Sequence, residues 1–153
     1  MSALDTIFAL ATPYGRSGVA VVRVSGTAAV ATLRALSGRS DPVANEAFHT
    51  TLKDASGKVI DRGLALYFKS PRSFTGEDTV EFQLHGGLAV IRHMLFTLSG
   101  MNGLRAAEPG EFTRRAVLNG KMDLLEAEAL SDLINAESEA QKAQAMRQMQ
   151  GAM

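Results

Sequence analysis

The chain has no cysteine and no tryptophan, and only four prolines in 153 residues. Without cysteine it can form no disulfide, thiolate metal site or iron–sulfur cluster, and it holds no cysteine nucleophile. It also lacks a charge excess: Lys plus Arg is 16 and Asp plus Glu is 16, a formal net charge of zero. A neutral chain has no overall positive field with which to hold phosphates. Stand-alone nucleic-acid binding is therefore disfavoured, although a local basic patch stays open. No stretch approaches the roughly 18 apolar residues of a membrane span. The opening residues, MSALDTIFALATPYG, carry Asp5 and no Lys or Arg ahead of a short apolar run. That is not a secretory leader, so the expectation is a mature, cytoplasmic protein without a membrane anchor. The P-loop pattern G-x-x-x-x-G-K-[ST], the dinucleotide fingerprint G-x-G-x-x-G and the G-x-S-x-G elbow are all missing. His49, His85 and His93 lack H-E-x-x-H spacing and read as surface or loop histidines rather than metal ligands.

What is present is 46% apolar and 21% charged, an ordinary globular composition. The length fits one compact domain, or one domain with a helical extension. Thr6 to Ala11 and Val19 to Ser25 are β-branched and apolar and predict strands, with Pro13, Gly15 and Gly18 turning the chain between them. Ala28 to Leu36 predicts a helix from the spacing of Val30, Leu33 and Leu36, ended at Gly38. Residues 47–53 and 58–69 predict a hairpin, with Gly63 marking a bulge or break. SPRSFTGED predicts a loop. Thr79 to Leu84 alternates, so Val80, Phe82 and Leu84 share one face while Glu81 and Gln83 point to the other.

His85-Gly86-Gly87 leads into a helix over 88–98, and Arg105 to Ala107 predicts a short edge strand. Pro109 stands as the first residue of a further helix, with Glu111 in its first turn and Asn119-Gly120 as its stop. Arg114 and Arg115 read as surface charges paired with Glu108 and Glu111. Asp123 and Glu126 have the spacing of a capping box at the start of one long helix reaching Met153. Its few large apolar residues, with Met146, Met149 and Met153 on one stripe, predict that it packs on something absent, and its uncapped end predicts a fragment. The expected fold is α+β: a body over 1–120, then the long helix over 121–153.

Three segments set polar chemistry between apolar elements. Arg23 lies inside the apolar strand VAVVRVSG. In a central strand it must meet an anion or a carboxylate, whereas in an edge strand it can face water. Glu81 is on the polar face of its strand. A carboxylate there can pair bidentately with an amidine-like edge, such as Arg or a pterin, or form a structural salt bridge with Arg23. Glu77 and Asp78 read as supports of the loop, which Thr75 caps. Lys121 follows Asn119-Gly120 at a helix junction, where it can reach a carboxylate or phosphate or serve as a C-terminal helix cation. Together they suggest an anionic ligand with a hydrogen-bonding ring.

DTIFALATPYGRSGVAVVRVSG at 5–26, SFTGEDTVEFQLHGG at 73–87 and PGEFTRRAVLNGKMDLLEAEALSDLINAES at 109–138 resemble, in that order, the N-terminal part of the bacterial tRNA-modification GTPases of the MnmE (TrmE) family. The resemblance implies a small mixed sheet with packed helices, like folate-dependent aminomethyltransferases, over 1–120, and a truncated helical domain from 121. It implies a homodimerising module that binds 5-formyl- or 5,10-methylene-tetrahydrofolate through Arg23, Glu81 and Lys121. No residue of this chain is implied to be catalytic. The parent protein would modify the wobble uridine of tRNA at carbon 5 with the flavin-dependent partner MnmG (GidA), using GTP, magnesium and potassium at sites this chain lacks. GTP hydrolysis is therefore not expected of this chain alone. The competing expectations are a pure homodimerisation module without a competent folate site, and a direct tRNA-binding domain, which the zero net charge disfavours.

Overall fold

The computed structural model describes residues 5–12 and 18–133. The strands are β1 (Thr6–Leu10), β2 (Val19–Ser25), β3 (Phe48–Lys53), β4 (Val59–Phe68), β5 (Thr79–His85) and β6 (Leu104–Ala106). The helices are α1 (Ala29–Ser37), α2 (Leu88–Ser99) and α3 (Glu111–Leu118). A fourth helical stretch, α4, occupies 124–133 and carries the expected reciprocal cap: the Glu126 N–H donates to Asp123 at 2.7 Å and the Asp123 N–H to Glu126 at 3.4 Å. The expected long helix beyond 133, its methionine stripe, and the turn residues Pro13 and Gly15 lie outside the described residues.

The strands form one mixed six-stranded sheet in the order β3-β4-β5-β2-β1-β6. All neighbours are antiparallel except β1 and β6, which run parallel. The α+β reading holds. Alternation explains the layers. Val22, Val24, Val80, Phe82, Leu84 and Ala65 face one side, where Leu33 and Leu36 of α1 and Met94 and Leu98 of α2 close the core over them. At about 25 cal/mol per Å² of apolar surface removed from water, this packed layer is the main stabilising term.

α1 has no side-chain cap of its own. Its free N–H at Ala28 donates instead to the Thr6 hydroxyl of β1 at 2.8 Å, so strand and helix satisfy each other. The sequence misplaced two details. The irregularity in the hairpin is at Leu52/Lys53, and Gly63 is instead a point of close approach: a β-carbon there would collide with the Gln83 carbonyl oxygen. Pro109 lies outside α3, whose cap is Gly110 in a left-handed conformation (φ 75°), with Glu111 as the first helical residue.

On the opposite face of the sheet, α3 is tied to Arg105 of β6 and to the loop 70–78, and its Phe112 ring lies 5.7 Å from the Arg23 guanidinium of β2. The rest of that face, over β2, β5 and β4, is covered by no helix among the described residues and carries half-buried Val21, Leu64 and Leu66.

Candidate functional site

The register of β2 on β5 places Arg23 directly opposite Glu81 on this open face. β2 is an interior strand of the sheet, so Arg23 meets a carboxylate rather than bulk water. Its Nη2 donates to Glu81 Oε1 at 3.3 Å, with about a quarter of the Arg23 side chain and a fifth of the Glu81 side chain exposed. The contact has a single point. Among the described residues, Arg23 Nε and Nη1 and Glu81 Oε2 have no further hydrogen-bond partner. Both groups therefore keep valences for a third party.

Two aromatic rings flank the guanidinium, Phe74 with its centroid 5.4 Å away and Phe112 at 5.7 Å. Such contacts are worth about 0.5–1 kcal/mol at exposed sites. Beside the pair is a hollow of about 330 Å³, walled by Phe68 and Phe74, with Arg72 and Thr79 completing its lining. Ring-sized apolar walls with a few convergent polar groups are the usual composition of a small-molecule site.

The loop carrying Phe74 holds its shape through its own hydrogen bonds. The Ser70 N–H donates to Asp78 at 2.8 Å, the Ser70 hydroxyl to the Gly76 carbonyl at 2.8 Å, and the Glu77 N–H to the Thr75 hydroxyl at 3.2 Å. Thr75 also shares a 2.7 Å hydrogen bond with Ser25 of β2. The supporting roles expected for Thr75, Glu77 and Asp78 are what the geometry shows.

Glu77 does more than support the loop. Its carboxylate accepts from Ser25 at 2.9 Å and from Arg115 of α3 at 3.0 and 3.1 Å. Arg115 also reaches Glu111 at 3.3 Å, and Glu111 takes both ends of the Arg105 guanidinium, at 2.7 and 2.6 Å. Arg105 completes the run with Asp5 at 3.0 Å. The expectation of surface charges therefore holds for Arg114, exposed and 3.4 Å from Glu108, and fails for Arg115 and Glu111. Both of these are buried, because α3 packs its charged side onto the loop and β6. Arg105, then burial opposing it, then the Glu108 N–H set the balance at Glu111, and its carboxyl is held down at about 2.

Lys121 does not join the hollow. Its backbone N–H donates to the Ala116 carbonyl at 2.8 Å, and its side chain lies exposed beside Gly76, where an added β-carbon would stand 3.3 Å from Lys121 Cγ. Gly76 (φ 82°) lets that approach happen. The structure thus brings Arg23 and Glu81 together and sets Lys121 against the loop that roofs them. Sequence reasoning missed Phe74, Phe112 and Arg72. The one signal for Arg72 and Phe74 was the density of unusual residues in SPRSFTGED; Phe112, in PGEFTRR, gave none.

Larger hollows exist elsewhere, about 350 Å³ beside the β3–β4 turn and α2, and about 590 Å³ between α3 and α4. In the first, Asp54 is already engaged: the His93 ring nitrogen is 2.8 Å away and the Ser56 hydroxyl 2.7 Å. The second is lined by Arg114 of α3 and Glu128 of α4, which form no ion pair with each other among the described residues. No described helix is long and apolar enough to cross a membrane.

The family described as GTP-binding protein TrmE N-terminus matches residues 6–121. The chain is 56% identical over 151 residues to a tRNA modification GTPase MnmE of Parvibaculum lavamentivorans, covering 98% of this chain and 34% of that protein. The Dinoroseobacter shibae protein of the same name is 53% identical over 148 residues (97% and 34%), and that of Hyphomonas neptunium 50% over 153 residues (100% and 35%). The chain spans about a third of the length of the curated relatives it matches.

Proposed function

We propose that this chain, which belongs to the TrmE N-terminus family, is the tetrahydrofolate-binding and dimerising module of a tRNA-modification GTPase. The body over 1–120 is the ligand-binding domain, and 121–153 begins a helical domain. The observation that carries this reading is the half-satisfied Arg23–Glu81 pair beside a hollow with aromatic walls.

A reduced folate presents a planar ring with an amide and amino edge at one end and carboxylates at the other. Glu81 can accept two parallel hydrogen bonds from such an edge while Oε1 keeps its contact with Arg23, because each carboxylate oxygen has two lone pairs. Phe68 and Phe74 supply the apolar slot a pteridine needs. Arg23, held by its contact with Glu81 and beside two rings, offers its remaining N–H groups to a carbonyl or anion. Lys121 reaches the ligand only past the loop, so its role is to hold an exposed anionic or carbonyl group at the rim. These residues bind and orient; bound 5-formyl- or 5,10-methylene-tetrahydrofolate would supply the one-carbon unit. The chain has no P-loop sequence, so we place GTP, with its magnesium and potassium, outside it. Wobble-uridine modification at carbon 5 of tRNA, with MnmG (GidA) as partner, is the proposed activity of the parent protein.

Calorimetric titration with 5-formyl-tetrahydrofolate tests the reading. Saturable binding that Glu81→Ala weakens by tenfold or more is the expected result, one charge-assisted contact being worth at least about 1.4 kcal/mol. No heat at millimolar ligand with folded protein would favour the second reading, a pure homodimerisation module. That alternative rests on the same contact: Arg23 and Glu81 already neutralise each other without a ligand.

A further inference from the structure

The face of the sheet that no described helix covers holds a second hollow, of about 180 Å³, at the other end of the same strands. It is lined by His49, Arg62, Leu64, Gln83, His85 and Val19. Strand pairing puts these on the Arg23–Glu81 side. Val21 and Gln83, then Val19 and His85, continue the row that starts at Arg23 and Glu81, and Leu64 stands opposite both Gln83 and His49. His85 is four residues beyond Glu81 on β5, about 14 Å at the usual strand rise of ~3.4 Å per residue.

This end holds one arginine whose charge is not matched by a carboxylate in contact with it, and one carboxylate that is engaged elsewhere. Arg62 is exposed, and its only hydrogen bond among the described residues is a donation to the Thr51 hydroxyl at 3.3 Å; it has no acidic partner there. The one carboxylate nearby, Asp61, is occupied by His85, accepting from the His85 backbone N–H at 2.9 Å and lying 3.0 Å from its ring Nδ1. His49 is exposed and adds a ring N–H. Between Glu81 and His85 the face carries Val21, Leu64 and Leu66, with Gln83 as the polar side chain among them.

The face therefore reads, end to end, as an Arg–Glu pair with aromatic walls, a largely apolar strip, and an arginine with two imidazoles, one of them held by Asp61. An extended folate has the complementary order: ring edge, benzoyl spacer, glutamate carboxylates. Polyglutamylated folates add one free carboxylate for each further γ-linked glutamate. Resting on the folate reading above, we infer that Arg62, with His49 and His85, takes the poly-γ-glutamate tail and selects polyglutamylated folate over the monoglutamate.

The test is calorimetry of the 153-residue chain at about 0.1 M salt, where surface charge pairs are partly screened. The ligands are 5-formyl-tetrahydrofolate with one and with three glutamates. The triglutamate should bind about tenfold or more tighter. Arg62→Ala, an exposed substitution whose folding is checked by circular dichroism, should bring the ratio towards one, and Arg62→Lys should restore part of it. Glu81→Gln should weaken both ligands alike. Equal affinities for the two ligands would overturn the inference and leave the folate reading standing. So would a ratio that survives Arg62→Ala but is lost in Arg72→Ala, which would move the tail to the first hollow. No binding of either ligand would overturn both.

Discussion

Arg23 and Glu81 contribute little to stability for a pair placed inside a sheet. A directly opposed, partly exposed cross-strand ion pair is worth about 0.2–1 kcal/mol. The folate reading therefore predicts a dissociation: Glu81→Gln should change the unfolding free energy from urea denaturation by less than ~1 kcal/mol while lowering folate affinity tenfold or more. A purely structural pair would move both by similarly small amounts. Gly63 behaves oppositely. It touches no ligand in this reading, yet Gly63→Ala drives a methyl into the Gln83 carbonyl and should cost about 1–3 kcal/mol, measured by denaturation. Arg23 was legible because a charge inside VAVVRVS violates an otherwise apolar pattern, and Glu81 because the alternation of TVEFQL sets it on the polar face of its strand. Phe74 and Phe112 were not, since nothing in a sequence tells which aromatic a folded loop will lay over a guanidinium.

The second scale is that of α3 and the loop 70–78, joined by the alternating run Asp5, Arg105, Glu111, Arg115 and Glu77. Removing the central member leaves Arg105 with the Asp5 carboxylate alone and buried Arg115 with the Glu77 carboxylate alone, and Arg115 Nε is already a buried donor with no partner among the described residues. Glu111→Ala should cost about 1.5–3 kcal/mol in equilibrium unfolding, the loss of charge-assisted hydrogen bonds rather than of the whole network. The sign of the pH effect follows from the same contacts. Glu111 is held at about 2 against an ordinary 4.5, so its contribution is complete above about pH 4.5 and is lost as the pH falls towards 2. Acid titration followed by circular dichroism should show a transition that Glu111→Gln flattens. Strands, the hairpin and the Asp123–Glu126 cap were legible from local pattern and chemistry. The burial of Arg115 was not, because helical spacing offered Glu111 as a sufficient partner four residues earlier and gave no hint of Glu77, thirty-eight residues away in the chain.

For the molecule as a whole, the two proposals that need a second chain or a polymer are the easiest to refute. Light scattering across micromolar concentrations should give about twice the chain mass; a strict monomer removes dimerisation from the proposed function. Zero net charge predicts that tRNA binding by this chain alone is weak and shallow in its salt dependence, and a steep salt slope would revive a direct nucleic-acid role. Composition and alternation made the α+β class legible, but the strand order was not, because β1 pairs with β6 nearly a hundred positions away. That pairing has a consequence for biosynthesis. A nascent chain on the ribosome can build the β3-β4-β5-β2-β1 portion early, but the outer rim of β1 keeps its unpaired N–H and C=O groups until Leu104–Ala106 emerges. A ribosome stalled before residue 104 would display a bare, sticky strand, and one stalled well past 118 would display a finished sheet edge, a difference that chaperone crosslinking to staged nascent chains would register.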